Sequence, residues 1–175
     1  MLQRYYLAMY SYEKSSSIVA VLLLSSLHFT KSMNLHNERY PIPASLKLTE
    51  KVISEIGTIY FYDRIVVVEI NEGITLSYKN GFSLLLKGLQ YLGTKPWVYV
   101  SHRVTSYSVK PTDYKYLNKI PNLKGICLAV HTENHAQNAR LEEAFVEKPF
   151  LVANSLYDAI VWAEEILSPK PLQSK

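Results

Sequence analysis

The chain of 175 residues contains one cysteine, Cys127, so it has no intrachain disulfide and no CxxC metal site. Cys127 lies within the apolar run 126–130, and this position predicts a buried, unreactive thiol. Such sparse cysteine usage fits a reducing compartment, and we therefore expect a cytoplasmic protein.

Charge is also scarce, because charged residues make up 19% of the chain and the net charge is only +4. No cluster of Lys and Arg reaches the density with which proteins bind phosphate backbones, so we expect no nucleic-acid partner. The main catalytic signatures are missing too, since the sequence has no P-loop, GxGxxG motif, nucleophile elbow or Ser-His-Asp order. We expect a protein without enzymatic activity and without a cofactor.

Long hydrophobic runs are absent as well. The apolar run at 18–24 is too short to span a bilayer as a helix, and we expect no membrane association. Residues 1–32 have three interpretations: an overextended start with translation beginning at Met33, a signal or anchor segment, or a helix that packs on the domain. We treat 1–32 as an extension, 33–55 as a polar lead-in, 56–168 as the folded domain and 169–175 as a polar tail.

The folded domain shows regular strand and helix patterns. Two apolar strands, 57–62 and 65–70, flank the short turn Asp63-Arg64 and predict a hairpin. The second strand is apolar on both faces, which is typical of the middle of a covered sheet. The remaining elements alternate between helix and strand: helix 78–92 with Ser77 as its cap and Gly93 at its end, strand 96–100, helix 112–119, strand 123–130, helix 135–146, strand 149–152 and helix 156–167.

This order, β-β-α-β-α-β-α-β-α, predicts an α/β fold with a single sheet that a hairpin opens and right-handed crossovers extend. Helical spacing also predicts which side chains face the core. The predicted inward residues are Phe82, Leu85, Leu86 and Leu89 on the first helix, Ala139, Leu141, Ala144 and Phe145 on the third, and Ala159, Ile160, Ala163 and Ile166 on the last.

The most informative segment is the polar loop that follows strand 96–100 and runs to Pro111. Ligands of open α/β sheets collect outside the carboxyl ends of the strands, and functional side chains sit on loops held by a rigid scaffold. We therefore predict a ligand- or partner-binding site at this edge of the sheet. Its candidate residues are Asn71, Glu72, His102, Arg103, Ser106, Tyr107 and Ser108.

Structural explanations for the same residues stay open. Arg103 either binds an anionic ligand or pairs with a nearby acid, namely Glu69, Glu72 or Asp113. His102 is otherwise a partly exposed residue at a strand end, and the serines are otherwise hydroxyls that order the loop. Three residues after the fourth strand, His131, Glu133 and His135, have ligand-like spacing, but helix-capping polar residues explain them better, so we predict no metal.

The string Tyr99-Val100-Ser101-His102-Arg103-Val104-Thr105-Ser106-Tyr107-Ser108-Val109-Lys110-Pro111, together with Gly73 after Ile70-Asn71-Glu72, carries a family resemblance. Over residues 56–167 the chain resembles the STAS domain (sulfate transporter and anti-sigma-factor antagonist). It is similar, more closely, to the bacterial anti-sigma-antagonist-like family grouped with CRAL-TRIO lipid-binding domains. The resemblance implies a regulatory or ligand-binding domain.

STAS domains carry a phosphorylatable Ser or Thr, in an Asp-Ser-Ser/Thr-Gly setting, in the loop after the third strand. Here that loop holds Ser106 and Ser108 without the motif. We expect a non-enzymatic domain that binds a partner protein or a small anionic or amphipathic ligand, and a homodimer stays open. Two alternatives remain: a phospho-switch at Ser106 or Ser108, and an enzyme that uses His102 as an acid/base group.

Overall fold

The computed structural model describes residues 40–168, so the predicted extension 1–32 and tail 169–175 lie outside the described residues. Six strands form one sheet in the order β1-β2-β3-β5-β7-β8, and two short strands, β4 and β6, pair beside it. The strands are β1 (Glu50–Ser54), β2 (Gly57–Tyr62), β3 (Ile65–Ile70), β4 (Thr75–Leu76), β5 (Trp97–His102), β6 (Ser108–Val109), β7 (Leu123–Ala129) and β8 (Phe150–Ala153). The helices are α1 (Tyr78–Leu92), α2 (Tyr114–Asn118), α3 (Glu133–Glu142) and α4 (Leu156–Leu167).

The predicted hairpin and the α/β class are confirmed. β2 pairs antiparallel with β3 across the two-residue turn, where Asp63 takes a φ of 53°. Asp tolerates this left-handed conformation because its short polar side chain bonds locally. From β3 onward the neighbours β5, β7 and β8 are all parallel, as crossovers through helices require.

The sheet begins earlier than the sequence predicts. β1 lies inside the predicted lead-in and pairs with β2 over its whole length, from Glu50 opposite Phe61 to Ser54 opposite Gly57. An edge strand tolerates polar side chains, and Glu50 and Lys51 mask the apolar pattern that marks the central strands. A second addition, the parallel pair of β4 and β6, lies within the stretches that the sequence presents only as loops.

The bounds of α1 and α4 equal the predicted ones, whereas α2 and α3 are shorter than the predicted helices 112–119 and 135–146. The buried faces of α1 and α3 also differ from prediction. In α1 the buried positions are Leu84, Gly88 and Leu92, whereas Phe82 and Leu86 are exposed. The buried stripe contains a glycine, which hydrophobic spacing does not detect. The predicted inward residues Leu85 and Leu89 are partly buried, as expected.

In α3 the inward residues are Ala136, Ala139 and Glu142, whereas Leu141 is 72% exposed, and Ala144 and Phe145, just beyond the helix, are exposed as well. The apolar pattern predicts that Leu141 faces inward, but the inward side chain is the carboxylate of the next residue, Glu142. The predicted core positions on α4 are confirmed for Ala159, Ile160 and Ala163, which are fully buried.

Helices cover both faces of the sheet. On one face, Leu84 and Leu92 of α1 and Tyr114 of α2 join a core with Val66 and Val68 of β3. On the other face, α4 packs against β5 and β7. Side chains alternate between these faces along each strand, so successive residues of one strand reach different environments. Among helices in the described part of the chain, none is both long and apolar enough to cross a membrane.

Candidate functional site

The carboxyl edge of β3 and β5 holds the predicted site residues, but the structure divides them. Asn71, Glu72, Ser106 and Ser108 are exposed, whereas His102 and Arg103 are buried in two separate clusters.

The exposed residues help to fix the loop. The amide of Asn71 donates to the Glu55 carbonyl at 2.9 Å, and the Ser106 carbonyl accepts from the Gly73 N–H at 2.8 Å. The Ser108 hydroxyl donates to Thr75 at 2.9 Å and thereby ties β6 to β4. Asn71, Ser106 and Ser108 thus have local structural contacts, but only Ser108 makes its contact through the hydroxyl, as the structural alternative for the serines expects.

His102 is fully buried, so the expectation of a partly exposed strand-end residue is wrong. Its Nδ1 lies 2.7 Å from the Glu69 carboxylate on β3, and its Nε2 lies 2.9 Å from Nε2 of His131. Tyr60 donates a hydrogen bond to the other carboxylate oxygen of Glu69 at 3.1 Å. Adjacent parallel strands place Glu69 beside His102, and its carboxylate is the hydrogen-bond partner of the buried Nδ1.

The row Glu69–His102–His131 links a partly buried acid to an exposed imidazole. Burial lowers the pKa of His131, and so do the neighbouring His102 and His135. Glu69 raises it, but the net shift is downward, so the imidazole stays neutral near pH 7. Since one hydrogen lies between the two Nε2 atoms, one ring donates it and the other accepts it. The second titratable group that an enzyme using His102 requires is therefore present, but His102 does not line the pocket described below.

Arg103 joins the end of β5 to α3. It is 9% exposed, and its guanidinium donates to both carboxylate oxygens of Glu142, at 2.7 and 2.8 Å. The hydroxyl of Tyr114 donates to the same carboxylate at 2.6 Å. Burial works against the charge, but Tyr107 and Glu142 raise the pKa of Arg103, which stays protonated. The arginine thus pairs with an acid, although not with any of the three that the sequence suggested.

Neutral hydroxyls lie beside this ion pair. Ser101 and Tyr107 share a hydrogen bond of 2.6 Å, and the guanidinium of Arg103 lies 5.2 Å from the Tyr107 ring centre. Burial raises the pKa of Tyr99, Tyr107 and Tyr114, so their phenols stay protonated at physiological pH. The hydroxyls of Ser101 and of these three tyrosines are therefore uncharged hydrogen-bonding groups.

A largely apolar pocket of about 130 Å³ lies between α1 and the sheet, next to these hydroxyls. Strands β2, β3 and β5 form its floor, α1 its roof, and β4, β6 and α2 its side. Phe82 and Tyr78 line the pocket and also reach solvent, so the pocket opens to the surface beside them. Tyr78 stacks on Tyr116 of α2 with ring centres 3.9 Å apart. The lining includes Ile59, Val66, Val68, Leu76, Phe82, Leu84, Leu85, Trp97, Tyr99, Ser101, Val109, Asp113 and Tyr114.

Two features of the pocket lack a packing explanation. Gly81 and Gly88, two helical turns apart, both line its roof, and a Cβ added at Gly88 would meet nothing within 4 Å. On the floor, Trp97 is 2% exposed, and its indole Nε1 has no hydrogen-bond partner among residues 40–168. Gly88 leaves space in the interior unfilled, and Trp97 leaves a buried hydrogen-bond donor without an acceptor.

Comparisons with known proteins give little beyond a distant structural likeness. No family model matches the chain, and no curated protein matches it. One solved structure is similar: an uncharacterized protein from the DUF3478 family of Shewanella loihica PV-4, described as having a SpoIIAA-like fold. It is 14% identical, with a TM-score of 0.42, and the match covers 67% of this chain and 93% of that one. A SpoIIAA-like fold is STAS-like, and a likeness this distant says nothing about the site.

Sequence analysis missed the pocket, although two signals for it were present. Glycines seven residues apart inside a predicted helix mark one face with no side chains, and the aromatic residues Tyr78, Phe82 and Tyr116 surround its opening. The prediction of a buried cysteine is confirmed. Cys127 is buried, and this burial raises the pKa of its thiol to about 12. Among the side chains that the structure describes, which do not include that of Glu133, no three His, Cys, Asp or Glu groups are placed to hold a metal, and the interpretation of His131, Glu133 and His135 stays a prediction.

Proposed function

We propose that this protein is a non-enzymatic, cytoplasmic binding domain whose pocket holds a small apolar or amphipathic ligand. The observation that carries the proposal is the apolar pocket of about 130 Å³ under Gly88. An apolar cavity of about 150 Å³ is known to bind benzene, so the volume suits one aromatic ring or a short acyl chain. An apolar wall with a few hydrogen-bonding groups is the usual composition of a small-molecule site.

Gly88 supports a binding function because a glycine in the middle of a helix lowers the stability of that helix. A glycine in the interior of a helix destabilises it by about 1 kcal/mol relative to alanine. Nothing packs against Gly88 closely enough to require the missing side chain, and its φ is not positive. The space above the sheet therefore stays open at the expense of helix stability, as a ligand site requires.

The proposal also gives the polar loop a role in regulation. Leu76 of β4 and Val109 of β6 line the pocket, while Ser106 and Ser108 of the same loop are exposed. A ligand that packs against Val109 alters the surface around these serines, and a partner protein would detect the ligand there. The phospho-switch alternative stays a prediction for the same two hydroxyls.

The test fills the pocket from its roof. We expect ethylbenzene to shift the ¹⁵N-HSQC resonances of α1 and β5 in the wild-type protein, with saturation at high concentration. Gly88→Leu places a side chain in the open space and should abolish these shifts, whereas Gly88→Ala should weaken them. Native mass spectrometry of the wild-type protein checks in parallel for a ligand that co-purifies.

The matched control is Gln90→Leu, which adds the same side chain at an exposed position of α1. It should bind ethylbenzene as the wild-type protein does. If Gly88→Leu is folded and binds equally well, the pocket is not the site. If the wild-type protein shows neither saturable shifts nor a bound mass, the proposal is wrong.

A further inference from the structure

The Glu69–His102–His131 row has the order of groups that activates a nucleophile. In such an arrangement the nucleophile is hydrogen-bonded to a base, and a third group, often a carboxylate, orients that base. Here the Glu69 carboxylate lies 2.7 Å from Nδ1 of His102, and Nε2 of His102 lies 2.9 Å from Nε2 of His131. His131 therefore occupies the position that a serine or cysteine has in a catalytic triad.

The hydrogen bonds of the row determine the tautomer of His131. An ionised carboxylate can only accept, so Nδ1 of His102 donates to Glu69. In the neutral form of His102, Nε2 then carries a lone pair and accepts from the Nε2–H of His131. The lone pair of the His131 ring is consequently on Nδ1, the nitrogen that His102 does not contact.

His131 is the exposed member of the row. The side chains of His102 and Glu69 are 0% and 15% exposed, whereas His131 reaches solvent. Its Nε2 faces the buried His102, and Nδ1 belongs to the opposite edge of the ring. Because burial and the neighbouring histidines lower the pKa of His131, its ring is neutral and holds a lone pair near pH 7.

The surroundings of His131 favour a phosphoryl group as the electrophile. The next residue, Thr132, is the N-cap of α3, and its side chain accepts from the His135 N–H. The first N–H groups of a helix have no acceptor within the helix, and together with the helix dipole they favour phosphate. His135 lies on the first turn of α3, close enough for its charge to act on His131.

We propose that His131 is a modification site, at which Nδ1 accepts a phosphoryl group from a small donor of the phosphoramidate or acyl phosphate class. The Nδ1 lone pair forms the new N–P bond, while the bond from phosphorus to the leaving group breaks and the leaving group keeps that electron pair. The Nε2 proton of His131 passes to Nε2 of His102. Glu69 then neutralises the His102 imidazolium and is thus a positioning residue.

The added phosphate carries nearly two negative charges, so it changes the charge at the carboxyl edge of the sheet. This site goes beyond the proposed function and does not depend on the pocket, because neither His102 nor His131 lines it. The ethylbenzene titration therefore tests the binding function separately.

The experiment treats the full-length protein with potassium phosphoramidate near pH 7 and follows phosphohistidine by ³¹P NMR and intact mass. We expect one histidine to react about tenfold or more faster than free N-acetylhistidine, as base catalysis provides. His131→Gln should remove this fast phase. The matched control His135→Gln changes the neighbouring histidine and should keep it, and slow reaction of the other histidines is the common background.

Glu69→Gln preserves the size of the side chain and removes the charge that stabilises a protonated His102. It should slow the fast phase about tenfold, whereas a purely structural role of Glu69 would leave the reactivity of an exposed His131 unchanged. Long-range ¹H–¹⁵N correlation of the untreated wild-type protein gives a second readout that needs no variant. It should show His131 protonated at Nε2 and His102 at Nδ1.

Several results would overturn the proposal. They are a wild-type protein that reacts no faster than N-acetylhistidine, a fast phase that survives in His131→Gln, and a neutral His131 protonated at Nδ1. Equal rates in the wild-type protein and Glu69→Gln would also contradict it, because the row would then not activate His131.

Discussion

Arg103 and Glu142 form a buried ion pair that holds α3 against the end of β5. Desolvation of two charges is expensive, and here the expense is offset by two short hydrogen bonds and by a third from Tyr114. Arg103 therefore has a structural role, because its ion pair with Glu142 connects β5 to α3. The hypothesis of a ligand-binding arginine is now weaker, because its guanidinium already has an acid partner.

Arg103→Ala should lower the free energy of unfolding by about 3–5 kcal/mol, because it leaves the Glu142 carboxylate buried without its cation. The double variant Arg103→Leu/Glu142→Leu removes both charges and should recover much of this loss. Urea denaturation measures Arg103→Ala, and the cycle of Arg103→Leu, Glu142→Leu and the double variant gives the coupling between the two side chains. A loss below about 1 kcal/mol for Arg103→Ala would mean that the pair is not a structural element, and would revive the ligand-binding interpretation.

The residue types at the sheet edge were predictable, but their partners were not. The position of His102 and Arg103 at the end of a strand predicted a binding role for both residues. The structural alternative for Arg103 was an ion pair with a nearby acid. The actual acid, Glu142, follows 39 residues later on a helix whose apolar spacing favoured Leu141 as the inward residue. Local periodicity describes one element at a time, whereas this contact depends on how α3 lies against β5.

At the scale of elements, α1 shows two glycines with opposite roles. Gly88 is in the helix interior with open space beside it, whereas Gly93 ends the helix with a φ of 59°. Only the second conformation is one that other residues rarely adopt.

Gly88→Ala should raise the free energy of unfolding by about 0.5–1 kcal/mol, because alanine favours the helix and its methyl group meets no atom. Gly93→Ala should lower it by about 1 kcal/mol or more, because alanine is strained at a positive φ. The pair is compared by urea denaturation without added ligand. Destabilisation by Gly88→Ala would show that the space beside this glycine is already occupied.

Elements with strong local signals were predicted well, and weak ones were missed. α1 and α4 have N-terminal serines, continuous apolar spacing and defined ends, so their observed bounds equal the predicted ones. β4 and β6 have two residues each and exist only because loops far apart in the chain meet. Such strands, and the pocket that they help to enclose, arise from tertiary packing and have no periodic pattern in the sequence.

At the scale of the whole molecule, the sheet separates two chemical environments. One face supports α1 and the apolar pocket, and the other supports α4. Alternation along β5 explains the division: Trp97, Tyr99 and Ser101 line the pocket, and His102, the next residue, does not. The Glu69–His102–His131 row and the pocket are thus separate features, and neither histidine lines the pocket.

The central position of β3 gives the sharpest test of this arrangement. Val67 is fully buried on β3, between β2 and β5, and α4 also contacts this strand. Val67→Asp would place an unpaired charge in the interior, and we expect it to lower the free energy of unfolding by about 3–5 kcal/mol or to leave the protein unfolded. The matched control is Ile53→Asp, the same type of change on edge strand β1 at a position that is 71% exposed. It should change the stability by about 0.5 kcal/mol or less, as surface substitutions usually do. Urea denaturation followed by circular dichroism measures both variants. Similar losses for the two would mean that β3 is not the covered centre of the sheet, and the two-faced arrangement that positions the pocket would be wrong.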